Sequence, residues 1–280
     1  MKRNTKRMAV IGLVIGCLII GSVGAFALAG GNAYQDFKSG VMQTALEQNM
    51  TVAAEVNVRQ DGASILSGEA VMQIDADARY SSSQILVGGE KLDMENSEKD
   101  GVRISRVGDQ ITSVTGREHD DDDHDFENSP AVLKLAEMVA DLLVGDVKTH
   151  FYGGSGVISV NLEGAQIPEL LNVAASAAVE GMASKPGKAS AEKDIFRNVI
   201  ENITITQDVS ITRISMESRL NDGYIEEIDV TITLTGKDKG GVSHEIEITC
   251  NAAISDIGST APAVVDTEGK EVTVKERYHR

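Results

Sequence analysis

Ile228, Val230, Ile232 and Leu234 alternate with Asp229, Thr231, Thr233 and Thr235. Successive side chains of a strand point to opposite faces, so this run makes one greasy face and one wet face. Ile246, Ile248 and Cys250 alternate in the same way with Glu245, Glu247, Thr249 and Asn251. Far upstream, Met50, Val52, Ala54, Val56 and Val58 alternate with Thr51, Ala53, Glu55, Asn57 and Arg59. A parallel sheet buried on both faces would show unbroken apolar runs instead. These three stretches commit the chain to an antiparallel sheet with one face in water.

Turn residues punctuate the rest. Asp61-Gly62 sends the 50–58 strand back along about 65–76. Further short strands are expected near 79–87, 102–107 and 110–115, parted by Asp100-Gly101 and Gly108-Asp109. Another is expected near 156–161. In the last third, Ile214 and Met216 precede the turn Asn221-Asp222-Gly223, and GKDKGG at 236–241 turns the chain once more.

Helical spacing appears in four places. Asn32 and Gln35 resemble a capping box ahead of Tyr34, Phe37, Val41 and Ala45, which predicts a helix over about 33–47. Ser129-Pro130 opens a stripe of Val132, Leu135, Ala136, Val139, Leu142 and Leu143, a helix over about 130–144. Pro168 opens another, ending near Met182, and Ser190 caps a short one with Ile195, Phe196, Val199 and Ile200. Helices are segregated from strands, so the fold class is α+β, with the helices packed on the apolar face of an antiparallel sheet.

A leader precedes this unit. Lys2, Arg3, Lys6 and Arg7 come first, and then Met8–Ala29 carries no charge. As a helix that stretch would run about 33 Å, enough to cross a hydrocarbon core. The basic flank would stay in the cytoplasm and the rest would lie outside. A cleaved signal is the rival reading, because Ala25-Phe26-Ala27 and Ala27-Leu28-Ala29 offer peptidase-type small residues. A lipidation box at Val14-Ile15-Gly16-Cys17 is a third. All three place the protein beyond the cytoplasm, membrane-anchored or secreted. The expected division is 1–30 as signal peptide or membrane anchor and 31–280 as a single extracytoplasmic domain with a polar, acidic loop at 116–128.

Charge excludes one class of partner. The 280 residues hold 26 basic and 43 acidic side chains, a net charge of −17, and the leader takes four of the basic ones. Such a body repels nucleic-acid phosphates and anionic headgroups, so no nucleic-acid partner is expected. Tryptophan is absent, which argues against a surface for stacking bases or sugars.

Catalytic signatures are missing from the sequence pattern. No HExxH occurs, and Gly153-Gly154-Ser155-Gly156 lacks the final glycine of a nucleophile elbow. GMASKPGKAS follows a helix and has the wrong glycine spacing for a phosphate loop. His150 and His244 read as surface or turn residues, and Cys250 as a core thiol. The strongest cluster of ligand types is the loop EHDDDDHDFE, where Asp121, Asp123, His124 and Asp125 are the candidate metal ligands. Carboxylates suit calcium or magnesium, and imidazole adds affinity for zinc. The calcium-loop glycine is absent, since its place falls on Phe126, and a solvated loop of repelling charges is the simpler reading. No cofactor is expected, and no enzyme.

The order of leader, first helix, strand meander, central helices and closing strands resembles the LolA-type lipoprotein carriers. The stretch GYIEEIDVTITLTGKDKGGVSHEIEITCNAAISDIGS, residues 223–259, is similar to the paired closing strands of exported bacterial proteins in that broad group. The resemblance implies a curved half-barrel that holds acyl chains or other apolar ligands beneath its helices. No site residue carries over. The expectation is a non-enzymatic cell-envelope protein that binds an apolar, lipid-like ligand in a groove between sheet and helices. The alternative is a membrane-tethered structural or sensory ectodomain that binds another envelope protein.

Overall fold

The computed structural model describes residues 32–115, 150–169, 171–173, 175–176 and 203–276. The leader, the acidic loop with Asp121, Asp123, His124 and Asp125, and the expected helices at 130–144 and 190–200 lie outside the described residues. Among those described, no helix is long and apolar enough to cross a membrane.

Helix α1 (Asn32–Ala45) comes first. Strands β1 (Met50–Gln60), β2 (Ala63–Ile74), β3 (Ala78–Val87), β4 (Glu90–Lys99), β5 (Val102–Val107) and β6 (Gln110–Thr115) form an antiparallel meander. Strands β7 (Phe151–Gly154) and β8 (Val157–Glu163) follow, then a 3-10 turn at Gly164–Gln166 and helical residues at 169, 171–173 and 175–176. The long strands β9 (Gln207–Asn221), β10 (Tyr224–Lys237) and β11 (Ser243–Ser255) close the sheet's second half. Strand β12 (Val272–Glu276) pairs in parallel with β6, the one parallel pair among the described strands.

The result is one open, mostly antiparallel sheet of twelve strands, ordered β12-β6-β5-β4-β3-β2-β1-β11-β10-β9-β8-β7. Three of its two-residue hairpins turn on Asp–Gly pairs. Asp61-Gly62, Asp100-Gly101 and Asp222-Gly223 all take positive φ at both residues. That geometry matches the right-handed twist of the flanking strands, and aspartate and glycine tolerate it best. The seam between the two halves is β1 against β11, where Val56 faces Cys250.

The apolar sides of the alternating runs all fall on one face. One cluster joins Ile158, Val160 and Leu162 of β8 to Ile228, Val230 and Ile232 of β10 beneath α1. Tyr34 and Phe37 of α1 are fully buried there, their rings 5.1 and 5.8 Å from that of Phe151. A second cluster gathers Val56, Val58, Leu66, Ile85 and Val87 around Ile205 and Ile246. Beyond Glu163, β8 no longer pairs with β9. Asn172 and Ser176 satisfy the backbone left over: Ile211 N–H donates to Asn172 Oδ1 (2.8 Å), and Ser176 Oγ donates to the carbonyl of Val209 (3.0 Å). Buried strand backbone needs such partners wherever a ladder stops.

After β11 the chain straps back across the polar face. Thr260 hydrogen-bonds Asn49 and Thr51, Ala263 N–H donates to Gln73 Oε1, and Val265 N–H donates to Ser97 Oγ. Val265 is buried in doing so. This strap delivers β12 to the β6 edge.

Candidate functional site

Strand register lines up side chains across the polar face in transverse rows. One row runs Arg219, Glu227, Ala253, Ala53, Val71, Ser82, Glu95, Arg106 from β9 to β5. Its ends are ion pairs, Arg219–Glu227 at 2.7 Å and Arg106–Glu95, and its middle is small. The next row runs Glu217, Asp229, Asn251, Glu55, Glu69, Gln84, Asp93 and holds five carboxylates with no cation among them. Glu55 lies directly opposite Glu69, and Asp229 opposite Glu217. Like charges facing each other across a ladder destabilise the pair. Asn251 relieves some of this by donating from its amide nitrogen to Asp229.

From Glu227 and Asn251 across to β4 and β5, the two rows line a trough of about 740 Å³. Its charged lining is Glu55, Glu69, Asp93, Glu95, Asp109 and Glu227 against Arg106. The carboxylates are spread along the trough, and among the described residues no three metal-ligand side chains converge on a point that would hold an ion. The trough is therefore a field, attractive to extended cations and repellent to anions.

The opposite face changes character along the sheet. On β8, β10 and β1 its apolar side chains are buried. On β2, β3 and β4 the same face carries Gly68, Ala70, Met72, Ser81, Ser83 and Met94, which are only half-buried. Small side chains there leave the sheet surface shallow.

A third arrangement sits at one end of the seam. His244 Nδ1 donates to Asp61 Oδ2 at 2.7 Å, and its Nε2 lies 3.6 Å from Asp238 Oδ2. Asp61 also accepts from Glu245 N–H (3.0 Å), and Asp238 accepts from the N–H groups of Gly240 and Val242 (2.8 Å each). These backbone bonds come first in holding both carboxyls below the usual aspartate range, with His244 adding to the effect. The bond from Asp61 in turn raises the imidazole above its ordinary value, against a smaller effect of burial.

Of the residues singled out in the sequence, His244 is a bridge between two turns, and His150 lies 3.1 Å from Gln166 Nε2 through its own Nε2. Cys250 is buried in the sheet seam. The carboxylate rows were not visible in the sequence, because they arise only when strands distant in the chain are brought into register.

No family model matches the chain, and no curated protein matches it. Loose structural likenesses exist. Rv2717c from M. tuberculosis is 9% identical, spans 81% of this chain and 99% of its own, and has a TM-score of 0.21. The ywiB protein from Bacillus subtilis is 8% identical over 74% of this chain and 92% of its own, at a TM-score of 0.16. The LolA superfamily protein NE2245 from Nitrosomonas europaea is 6% identical over 86% of this chain and 97% of its own, at a TM-score of 0.20. The resemblance to the LolA group is thus weak, and superpositions this loose carry no functional argument.

Proposed function

We propose that this is a non-enzymatic cell-envelope protein whose extracytoplasmic domain binds an apolar, lipid-like ligand between the sheet's apolar face and its helices. The observation that carries the reading is the gradient on that face. Side chains are closely covered from β8 to β1, whereas on β2, β3 and β4 Gly68, Ala70, Met72, Ser81, Ser83 and Met94, most of them small, are only half-covered beside the buried Leu66, Ile85 and Val87. An acyl chain gains about 0.8 kcal/mol for each methylene taken out of water. A shallow, weakly polar surface beside a filled core is suited to that. The wet face keeps the domain soluble and holds it off anionic lipid surfaces. The leader supplies the route to the envelope, as an anchor or as a cleaved signal.

Denaturing extraction of the purified full-length protein, followed by lipid mass spectrometry, tests this. Stoichiometric lipid is expected. Enlarging Ala70 or Ser83 to phenylalanine is expected to abolish co-purified lipid while the circular dichroism spectrum stays unchanged. An empty wild-type protein would remove the proposal.

A second reading has its own observation. The row of five carboxylates on the polar face is maintained despite the repulsion between them. It suits an ectodomain that meets a basic envelope protein, with association that weakens steeply as salt is added.

A further inference from the structure

We propose that His244, held between Asp61 and Asp238, is an acid-strengthened latch. It locks one corner of the sheet in mildly acidic solution and slackens it as the solution turns alkaline. The argument begins with the ring's two nitrogens. A carboxylate can only accept, so Nδ1 must carry a proton to bond Asp61 Oδ2 at 2.7 Å. In the neutral ring, Nε2 is then a lone pair. It is buried without a hydrogen-bond partner, and the nearest charged atom is Asp238 Oδ2 at 3.6 Å. Lone pair and carboxylate repel. Protonating Nε2 turns that contact into an attraction and gives the ring a charge-assisted partner at each end.

The latch joins elements that the ladder alone does not join at their tips. Asp61 belongs to the β1–β2 turn and Asp238 to the β10–β11 loop. Asp61 N–H donates to the carbonyl of Glu245, and Glu245 N–H returns a bond to Asp61 Oδ1. At the same corner, Gln60 exchanges two hydrogen bonds with Thr204, and Thr206 N–H donates to the carbonyl of Lys237. Between them Ile205 plunges into the second apolar cluster. The corner is thus where residues 203–206 cross onto the apolar face.

The charged groups around the ring are Asp61 and Asp238, which face it, and Glu245, Lys237 and Lys239 on adjoining positions. The Lys237 ammonium is tied to Asp208 of β9 at 2.7 Å. The balance at the ring is therefore acidic, which favours its charged form. A raised imidazole contributes stability that is complete below its ordinary value of 6.5 and is lost as pH rises through the raised one. The lowered carboxyls contribute stability that is present above 3.8 and is lost as pH falls through their lowered values. The latch grips fully between those limits.

Two measurements on the full-length protein decide it. The first is an NMR titration of the His244 ring. Its midpoint is expected above that of an exposed histidine, and Asp238→Asn is expected to bring it down while leaving the Nδ1 bond in place. The second is amide exchange, corrected for intrinsic rates, at pH 5.5 and pH 8.5. Residues 60–64, 204–206 and 238–246 are expected to lose protection severalfold at the higher pH, and His244→Gln is expected to erase that difference. An ordinary or lowered midpoint, or equal protection at both pH values in wild type, overturns the proposal. If His244→Gln does not fold, the Asp238→Asn titration still decides.

Discussion

Thr44 shows how much depends on single side chains near the α1–sheet contact. Its hydroxyl accepts from the buried N–H of Ile225 at 2.9 Å. Thr44→Val keeps the shape and removes the acceptor, which leaves a buried donor unsatisfied at a cost of about 1–3 kcal/mol. Urea denaturation is expected to show the midpoint falling with an unchanged slope. Gly236 offers a different test. A Cβ there would lie 2.3 Å from Ile205 Cγ2 and 3.0 Å from the carbonyl oxygen of Gln207. Gly236→Ala is expected to destabilise by about 1–3 kcal/mol through overpacking, and the double variant with Ile205→Val should recover part of the loss.

At the scale of elements, the strap from β11 to β12 is the least regular part of the described chain and depends on isolated side-chain bonds. Ser97→Ala deprives the buried Val265 N–H of its acceptor. It is expected to raise amide exchange across 263–276 and in β6, with the β9–β11 ladder unaffected. Elements also show what could be read in advance. Strands β5 and β6, the Asp–Gly hairpins and α1 were legible because their signals are local: alternation, turn residues, a capped stripe. Strand β4 was missed because EKLDMENSEK is dominated by charged and small polar residues of low strand propensity. It forms because β3 and β5 flank it and supply both ladders. Strand β7, FYGG, was hidden by its glycines, one of which lets α1 approach: a Cβ on Gly153 would meet that of Ala33 at 2.8 Å. The parallel addition of β12 to β6 has no local signal at all. For the site, the sequence reads His244 as a surface or turn residue, whereas it lies at the start of β11 with aspartate partners from two different turns, and only the fold brings them together.

For the whole molecule, the two faces of the sheet have opposite requirements. The apolar face gains from burial, and the polar face carries facing carboxylates that repel in low salt. Raising ionic strength shortens the reach of that repulsion to about 8 Å at 0.15 M. The melting temperature is therefore expected to climb between 10 mM and 200 mM sodium chloride. Glu55→Gln or Glu69→Gln should stabilise by a few tenths of a kcal/mol and flatten that salt response. A melting point indifferent to salt in wild type would show the rows to be electrically slack.

The seam of β1 against β11 has one more consequence. Strand β1 is made long before the neighbour that completes it, since Val56 pairs with Cys250, far along the chain. Pairings between such remote segments form slowly. Until residue 255 is available, the first meander has an unsealed side and nothing to lock it shut. A nascent chain built this way stays pliable until that distant strand emerges, which is the condition a polypeptide needs if it is to be threaded through a narrow pore and assemble on the far side.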